Sequence, residues 1–298
     1  MKRIITLQDI SCAGKCSITA ALPVLSCLEV ETCVLPTALL SAHTAFRHFI
    51  SYDLSEHIHE ISDSFHENGL EFDAIYTGYL GSDEQIDAIL SFIDSHIRPG
   101  MLTVVDPAMA DNGMLYAGLP QDFASSMMRL IERADVIIPN ITEAMMLTGK
   151  RFEAEISAEV SAETLKEMFH ILSGAGPKTV IITGVHTAPG IIGACCYDRD
   201  SDEIFSVTDR KHEGDFPGTG DLFASVVCGC LVQGLDIKTS VENAVHFVSS
   251  CIEATLQDTE RRWYGLSFEK CLGMLPRMLP GDASSHGAAV ADTDAARR

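Results

Sequence analysis

Short runs of aliphatic and β-branched residues alternate along this chain with longer amphipathic stretches. The short runs predict eight strands: Arg3–Gln8, Glu31–Leu35, Ala74–Thr77, Leu102–Asp106, Val136–Ile138, Thr179–Thr183, Ile191–Tyr197 and Glu203–Val207. The amphipathic stretches predict six helices: Ser17–Leu28, Glu84–His96, Gln121–Ala134, Ala162–Ser173, Thr219–Gln233 and Thr239–Thr255. Because the predicted strands are apolar on both faces and alternate with helices, we expect an α/β fold with a mostly parallel central sheet covered by helices on both faces.

The composition supports one large domain. The chain has 298 residues, of which 46% are hydrophobic, and this is enough for a substantial core. The character changes after Pro280, where the last residues contain no aromatic side chain. We therefore expect a single domain over residues 1–280 and a disordered tail over residues 281–298.

The charge balance excludes some classes of partner. Lys and Arg number 21 against 42 Asp and Glu, a formal net charge of −21. Such a field repels nucleic-acid backbones and anionic lipid surfaces, so we expect neither as a partner. The sequence has no apolar run of 18 residues, and its N-terminus passes directly into a strand, which favours a cytoplasmic location. Its ten cysteines include no C-x-x-C pair and are interpreted as reduced thiols.

The most specific local motif is Gly218-Thr219-Gly220-Asp221, which opens an apolar helix. Backbone N–H groups at a helix N-terminus form an anion site. An acidic side chain beside a bound anion is unfavourable unless it accepts a proton or a metal ion intervenes. Phosphoryl transfer needs both a base and donors for the transferred group. The alternative is an ordinary helix cap, for which Gly, Thr and Asp are also suitable.

A second glycine-containing turn follows the first strand. Gly14-Lys15-Cys16-Ser17 resembles the end of a Walker A loop, but Asp9 stands where that loop has its first glycine. Cys16 also replaces the hydroxyl residue that would bind Mg²⁺. We therefore do not interpret this turn as a Walker loop, although it can shape a pocket at the end of the strand.

Three further polar segments follow predicted strands. Asp106 and Asp111 follow the fourth strand, Asn140 and Glu143 follow the fifth, and His43 follows the second. Carboxylate and amide oxygens near a polyphosphate suit Mg²⁺. Asn140 and Glu143 can instead form a capping box, and His43 can be structural. Because the carboxyl ends of parallel strands meet at one edge, we expect these segments to converge there.

Taken together, these motifs resemble those of the ribokinase-like superfamily and, within it, of the pyridoxal/pyridoxamine kinases. The resemblance covers about residues 2–280 and implies a three-layer α/β/α fold and phosphoryl transfer from ATP with Mg²⁺. It implies that Asp221 is the catalytic base and that the N–H groups of Gly218, Thr219 and Gly220 form the anion hole. It also implies a homodimer and allows a requirement for a monovalent cation.

The resemblance assigns further residues to the nucleotide and the metal. It implies that Glu143 and Asp106 organise Mg²⁺. The residues it implies for ATP binding are Asp106, Asp111, Tyr116, Asn140, Thr183, Gly184 and Thr219.

The vitamin B6 branch is indicated by two segments. Ser41-Ala42-His43-Thr44 is similar to an S-N-H-T segment of pyridoxal kinases, and Thr77-Gly78-Tyr79 to their T-G-Y. The resemblance therefore implies substrate binding by Asp9, Ser41, His43, Thr44 and Tyr79. The chain departs from that pattern at Ala42, and also at Asp9, where pyridoxal kinases commonly have Ser.

Three functions follow from these features. The first is an ATP-dependent kinase for the 5'-hydroxymethyl group of pyridoxal, pyridoxamine or pyridoxine, which would salvage pyridoxal phosphate. The second is a hydroxymethylpyrimidine kinase of thiamine synthesis, favoured by Asp9. The third is a catalytically idle homologue that binds a nucleotide or pyridoxal phosphate. In either kinase, the polar segment 208–215 is a candidate flap over the nucleotide.

Overall fold

A computed structural model describes residues 1–150 and 160–280. The tail predicted over residues 281–298 lies outside the described residues, so the division into one domain and a tail stays a prediction. Within the described ranges, none of the helices combines the length and apolarity needed to cross a bilayer.

A nine-stranded sheet forms the centre of the molecule. In chain order the strands are β1 (Lys2–Ser11), β2 (Val30–Leu40), β3 (Ser51–Asp53), β4 (Ala74–Thr77), β5 (Leu102–Val105), β6 (Ala110–Asp111), β7 (Met114–Leu115), β8 (Val136–Ile137), β9 (Thr179–Ala188), β10 (Ile191–Asp198) and β11 (Glu203–Arg210). The sheet order is β11-β10-β9-β8-β5-β4-β1-β2-β3, and β6 and β7 form a separate two-stranded ladder. All neighbours from β2 through β1, β4, β5 and β8 to β9 are parallel.

Antiparallel strands lie at both edges of this parallel centre. Strands β10 and β11 form a hairpin at one edge, and β3 pairs with the end of β2 at the other. The predicted fold class, an α/β fold with a mostly parallel central sheet, is confirmed.

Helices cover both faces of the sheet. They are α1 (Ile18–Cys27), α2 (Ser55–Glu67), α3 (Asp83–His96), α4 (Phe123–Ile131), α5 (Ile141–Leu147), α6 (Ala162–Ala175), α7 (Thr219–Val232) and α8 (Ile237–Gln257). Helices α1, α7 and α8 pack on one face, and α2 to α6 pack on the other. Strand β1 illustrates this division, because its side chains alternate between the two faces. Ile4 packs on the face covered by α1, α7 and α8, whereas Ile5 and Leu7 pack on the face covered by α2 to α6.

The structure adds strands β3, β6 and β7 and helices α2 and α5 to the elements that the sequence pattern predicted. Helix α2 is polar overall, with only Ile58 and Ser62 buried, so few apolar residues mark it in the sequence. Strand β3 is three residues long and exposed throughout. Strand β11 also runs three residues further than predicted, which matters for the site below.

Candidate active site

A cavity of about 660 Å³ opens where the strands of the sheet end at their carboxyl side. The segments that follow β1, β2, β4, β5, β8 and β9 meet there with the N-terminus of α7. The predicted site residues that line this cavity are Asp9, His43, Thr44, Tyr79, Asp106, Asp111, Tyr116, Asn140, Glu143, Thr183, Gly184, Gly218, Thr219, Gly220 and Asp221. The convergence expected from the strand pattern is therefore present.

The N-terminus of α7 borders the cavity through a turn that requires glycine. Gly218 caps the helix with φ at 87°, in the left-handed region. A Cβ atom at this position would lie 2.1 Å from the backbone oxygen of Lys15. Both the backbone angle and the close approach exclude a side chain here. The first-turn N–H groups that follow have no partner inside the helix and point toward an anion site, although that of Thr219 also donates to the Phe216 oxygen at 3.4 Å.

Asp221 lies in the first turn of α7, is partly buried and lines the cavity. Burial raises the pKa of Asp221 to about 7, and the nearby charge of Asp9 acts in the same direction. The backbone N–H of Ser17 faces the carboxyl and lowers its pKa as a hydrogen-bond donor. A carboxyl with a pKa near neutrality is suited to accept a proton at physiological pH.

Asn140 and Glu143 form the capping box that the sequence allowed. The Asn140 side chain accepts from the Glu143 N–H at 3.0 Å, and Glu143 Oε2 accepts from the Asn140 N–H at 2.7 Å. Glu143 Oε1 also accepts from the N–H groups of Met109 and Ala110, at 3.0 and 3.3 Å. The Glu143 carboxylate therefore fastens the segment after β5 to the start of α5, and its two oxygens are already engaged.

Asp106 is a second buried carboxyl in the cavity, 6% exposed. Burial raises its pKa well above the usual range, and the charges of Glu143 and Asp221 add to this effect. In the described part of the chain, no cluster of three or more His, Cys, Asp or Glu side chains can hold a metal ion by itself. Crowded carboxyls of this kind fit a hard cation such as Mg²⁺ only if other ligands, such as phosphate oxygens, complete its shell.

The remaining nucleotide-side residues lie around this carboxyl group. Thr183 of β9 forms a parallel bridge with Asn140, and Gly184 follows Thr183 with φ at 70°. Asp111 is exposed, and its Oδ1 accepts from the Asn112 N–H at 2.8 Å. Tyr116 is partly buried, which raises the pKa of its phenol. These positions line the cavity as predicted, and their part in ATP binding stays a prediction.

Asp9, His43 and Tyr79 line the other end of the cavity. Asp9 is 2% exposed and its Oδ2 accepts from the Ser11 hydroxyl at 2.8 Å. Burial raises the pKa of Asp9. The Nδ1 atom of His43 accepts from the Ala45 N–H, so Nε2 carries the proton and donates to the Tyr264 oxygen at 3.1 Å. Both ring nitrogens of His43 are thereby used by the backbone, as the structural alternative expected.

Ser41 does not line the cavity, in contrast to the prediction. Its side-chain oxygen accepts from the Ile50 N–H at 2.8 Å, and its own N–H donates to the Ile50 oxygen at 2.8 Å. Ser41 therefore closes the loop between β2 and β3, and it is exposed. The predicted flap also needs correction, because residues 208–210 belong to β11 and only residues 211–215 follow the strand.

The structure brings residues into the cavity that the sequence analysis did not single out. Ser11 and Ser17 flank the Gly14 turn. The Ser11 hydroxyl donates to Asp9 Oδ2 at 2.8 Å, and the Ser17 hydroxyl lowers the pKa of the same carboxyl. His186 of β9 lies 3.5 Å from the Lys211 ammonium through its Nε2 atom. The serines could have been found from their place on either side of a turn at a strand end. His186 carries no local motif, and only the pairing of β9, β10 and β11 places it at the cavity.

Comparisons with known proteins find similar sequences. Residues 12–263 match the family model described as phosphomethylpyrimidine kinase. A pyridoxal kinase from Arabidopsis thaliana is 28% identical over 88% of this chain and 85% of its own. A hydroxymethylpyrimidine/phosphomethylpyrimidine kinase from Haemophilus influenzae is 27% identical over 64% of this chain and 68% of its own.

Solved structures share the whole architecture. A candidate phosphomethylpyrimidine kinase from Bacteroides thetaiotaomicron, crystallised with pyridoxal, is 37% identical with a TM-score of 0.86. The alignment covers 92% of this chain and 95% of that one. The pyridoxal kinase of Lactobacillus plantarum is 29% identical with a TM-score of 0.84, over 93% and 98% of the two chains.

Proposed function

We propose that this chain, a kinase that belongs to the phosphomethylpyrimidine kinase family of the ribokinase-like superfamily, phosphorylates the 5'-hydroxymethyl group of a vitamin B6 vitamer with ATP. The placement of Asp221 is the observation that carries the proposal. Its carboxyl has a pKa of about 7, and it lies in the first turn of a helix whose N-terminus faces the same cavity. A base and an anion site side by side are what phosphoryl transfer to an alcohol requires.

In this mechanism the vitamer ring occupies the end of the cavity lined by Asp9, Thr44 and Tyr79. The ring holds the alcohol within about 2.6–3.2 Å of the Asp221 carboxylate. Asp221 takes the hydroxyl proton as the oxygen attacks the γ-phosphorus of ATP. The bond from that phosphorus to the bridging oxygen breaks, and ADP leaves.

The transferred group needs donors for its equatorial oxygens. The N–H groups of Gly218, Thr219 and Gly220 supply them at the start of α7, where the helix dipole also favours negative charge. Mg²⁺, held by Asp106 together with phosphate oxygens, would neutralise charge on the triphosphate. Glu143 acts indirectly, since its bonds to Met109 and Ala110 position the segment that carries Asp106.

Two observations favour the vitamin B6 substrate, and two favour the alternative. The Bacteroides thetaiotaomicron protein was crystallised with pyridoxal, and the Arabidopsis thaliana relative is a pyridoxal kinase. Asp9 and the Haemophilus influenzae relative favour hydroxymethylpyrimidine. Both substrates present a hydroxymethyl group on an aromatic ring, so the same base and anion site serve either one.

The test measures ADP release by the purified protein with Mg·ATP and pyridoxal, pyridoxamine, pyridoxine or hydroxymethylpyrimidine offered separately. We expect turnover with a vitamer, and a decrease in kcat of roughly 10²–10⁴-fold in Asp221→Asn with nearly unchanged ATP affinity. Asp215→Asn is the matched control, because it removes one carboxylate from the exposed cavity wall without removing the base. Ordinary turnover in Asp221→Asn would exclude the base assignment.

The other outcomes separate the alternatives. Turnover with hydroxymethylpyrimidine alone would move the protein to thiamine synthesis while retaining the mechanism. ATP binding without turnover of any of these compounds would support the idle homologue. A cytoplasmic homodimer is also part of the proposal, and sedimentation of the purified protein tests the dimer.

A further inference from the structure

Lys15 occupies the position of a Walker lysine, but its side chain leads away from the cavity. Its ammonium donates to the Leu266 backbone oxygen and to Glu269 Oε2, both at 2.8 Å. It also lies 5.6 Å from the centre of the Phe268 ring. The Lys15 side chain is 20% exposed, so this contact is shielded more than an ordinary surface ion pair. Lys15 therefore anchors the turn after β1 to a segment about 250 residues later in the chain.

Two glycines allow Lys15 to lie where it does. A Cβ atom on Gly218 would lie 2.1 Å from the Lys15 backbone oxygen, and one on Gly265 would lie 2.5 Å from the Lys15 Cβ atom. Lys15 is thus packed between the turn of the proposed anion hole and the C-terminal segment. Movement of this one residue would be transmitted to Gly218 directly.

Ser17, two residues later, has an unusual backbone conformation. Its φ and ψ are 48° and −137°, a region that residues with a side chain rarely adopt. Strained backbone of this kind persists only where the surroundings hold it. The Ser17 N–H lies near the Asp221 carboxyl and lowers its pKa, and Ser17 lines the same cavity as Asp221. The strained residue therefore lies between the anchored turn and the proposed base.

We propose that Lys15 is a positioning residue for phosphoryl transfer, which holds the strained turn so that the Ser17 N–H stays directed at Asp221. The proposal rests on the function proposed above, since it assigns Lys15 a role through the base. Lys15 does not touch the substrates in this role. Its contribution is to the orientation of Asp221, and so to kcat rather than to ATP binding.

The experiment compares Lys15→Met, Lys15→Arg and the control Lys270→Met. Lys270 lies in the same C-terminal segment and bonds to Asp258 at 2.7 Å, so its loss weakens that segment without touching the turn. We expect Lys15→Met to lower kcat about ten-fold to a hundred-fold with little change in the KM for ATP. We expect Lys15→Arg to restore most of the loss and Lys270→Met to behave as wild type.

A second measurement needs no substrate. Hydrogen exchange of a peptide spanning residues 12–18 reports on the Ser17 N–H, and we expect faster exchange in Lys15→Met only, with α3 as the internal reference. Unchanged exchange, unchanged kcat, or an equal loss in Lys270→Met would overturn the proposal. If Lys15→Met does not fold, Glu269→Gln takes its place in the test. This variant weakens one of the two Lys15 contacts and keeps the Lys15 bond to the Leu266 oxygen, so it must show the same effects in weaker form. If the wild type turns over no vitamer, the proposed function fails, while exchange still decides whether Lys15 anchors the turn.

Discussion

At the scale of single residues, the two glycine positions of the Gly218–Asp221 motif differ in whether they can accept a side chain. Gly218 has a positive φ and touches the Lys15 oxygen, whereas a Cβ atom at Gly220 would meet nothing within 4 Å. We therefore predict that Gly218→Ala destabilises the protein by more than the roughly 1–2 kcal/mol of the left-handed conformation alone. Gly220→Ala, the matched control, changes stability by about 1 kcal/mol or less. Urea denaturation measures the free energy of unfolding of both variants, and equal values would contradict the different requirements assigned to Gly218 and Gly220.

The shifted ionisation of Asp221 makes stability depend on pH. Its pKa rises from 3.8 to about 7 on folding, so between these values the folded state binds a proton that the unfolded state lacks. Stability from this group therefore falls as the pH rises from about 4 to about 7. We predict that Asp221→Asn is more stable than the wild type at pH 8, and that the gain shrinks toward pH 5. Thermal denaturation at both pH values checks this, with Asp215→Asn as the control.

Ionisation of Asp221 lowers stability, but it has the opposite effect on turnover. Only the carboxylate form of Asp221 can accept the substrate proton, so we predict that kcat/KM for the vitamer falls as the pH decreases through about 7. A profile of kcat/KM between pH 5 and 9 measures this decrease. A constant kcat/KM down to pH 5 would mean that the proton goes elsewhere.

Residue type and position in the sequence predicted most of the side chains that line the cavity, but not where every side chain lies. Asp221 and Asp9 could be found because a strand or helix terminus carries each of them to the cavity. Ser41 could not be placed, since pairing with Ile50 nine residues later turns it away. Glu143 was ambiguous, because a capping residue and a metal ligand have the same residue type and spacing.

At the scale of elements, the capping box of α5 connects stability with function. Glu143 accepts from three backbone N–H groups, and its removal leaves all of them without that partner. We predict that Glu143→Ala costs roughly 1–3 kcal/mol and raises the KM for ATP, because the segment carrying Asp106 loosens. Equilibrium denaturation and ATP kinetics measure the two effects.

A cap remote from the cavity gives the control. Asp236, which follows the C-terminal end of α7, accepts from the Thr239 N–H at 2.9 Å at the start of α8. Asp236→Ala should cost about 1 kcal/mol with unchanged kinetics. If Glu143→Ala behaved in the same way, Glu143 would be only a helix cap.

Elements were predictable where burial imposes a strong pattern. The parallel strands are apolar on both faces, so β1, β4 and β5 stand out in the sequence. Helix α2 does not, because it lies at the surface, and β3 exists only through its pairing with β2. Long-range pairing also extended β11 into the segment interpreted as a flap.

At the scale of the whole molecule, the sheet order determines which residues can act together. Segments as distant in sequence as Asp9 and Asp221 meet because β1 lies inside the sheet between β4 and β2, and α7 packs beside α1. Local motifs name the members of this group, but only the crossover connections bring them to one edge. The carboxylates that line the assembled cavity oppose the binding of an anionic nucleotide, for which the proposed function requires a site in the same cavity.

The molecular charge leads to a last prediction. The chain carries a formal charge of −21, and the carboxylates lining the cavity outnumber Arg210 and Lys211. Mg·ATP is anionic, so the long-range field opposes its approach. Raising ionic strength from about 10 mM to about 150 mM shortens the screening length from roughly 30 to 8 Å. We therefore predict that the KM for ATP falls with added tetramethylammonium chloride, whose cation is too large for a site that binds K⁺.

The kinetics of the vitamer supply the control for this effect. Pyridoxine carries no net charge near pH 7, so its KM should stay nearly constant over the same range of salt. Lys211→Gln removes one of the two cations at the cavity and should make the dependence of the ATP KM on salt steeper. A KM for ATP that rises with salt would instead mean that local cations and the α7 N-terminus outweigh the field of the whole molecule.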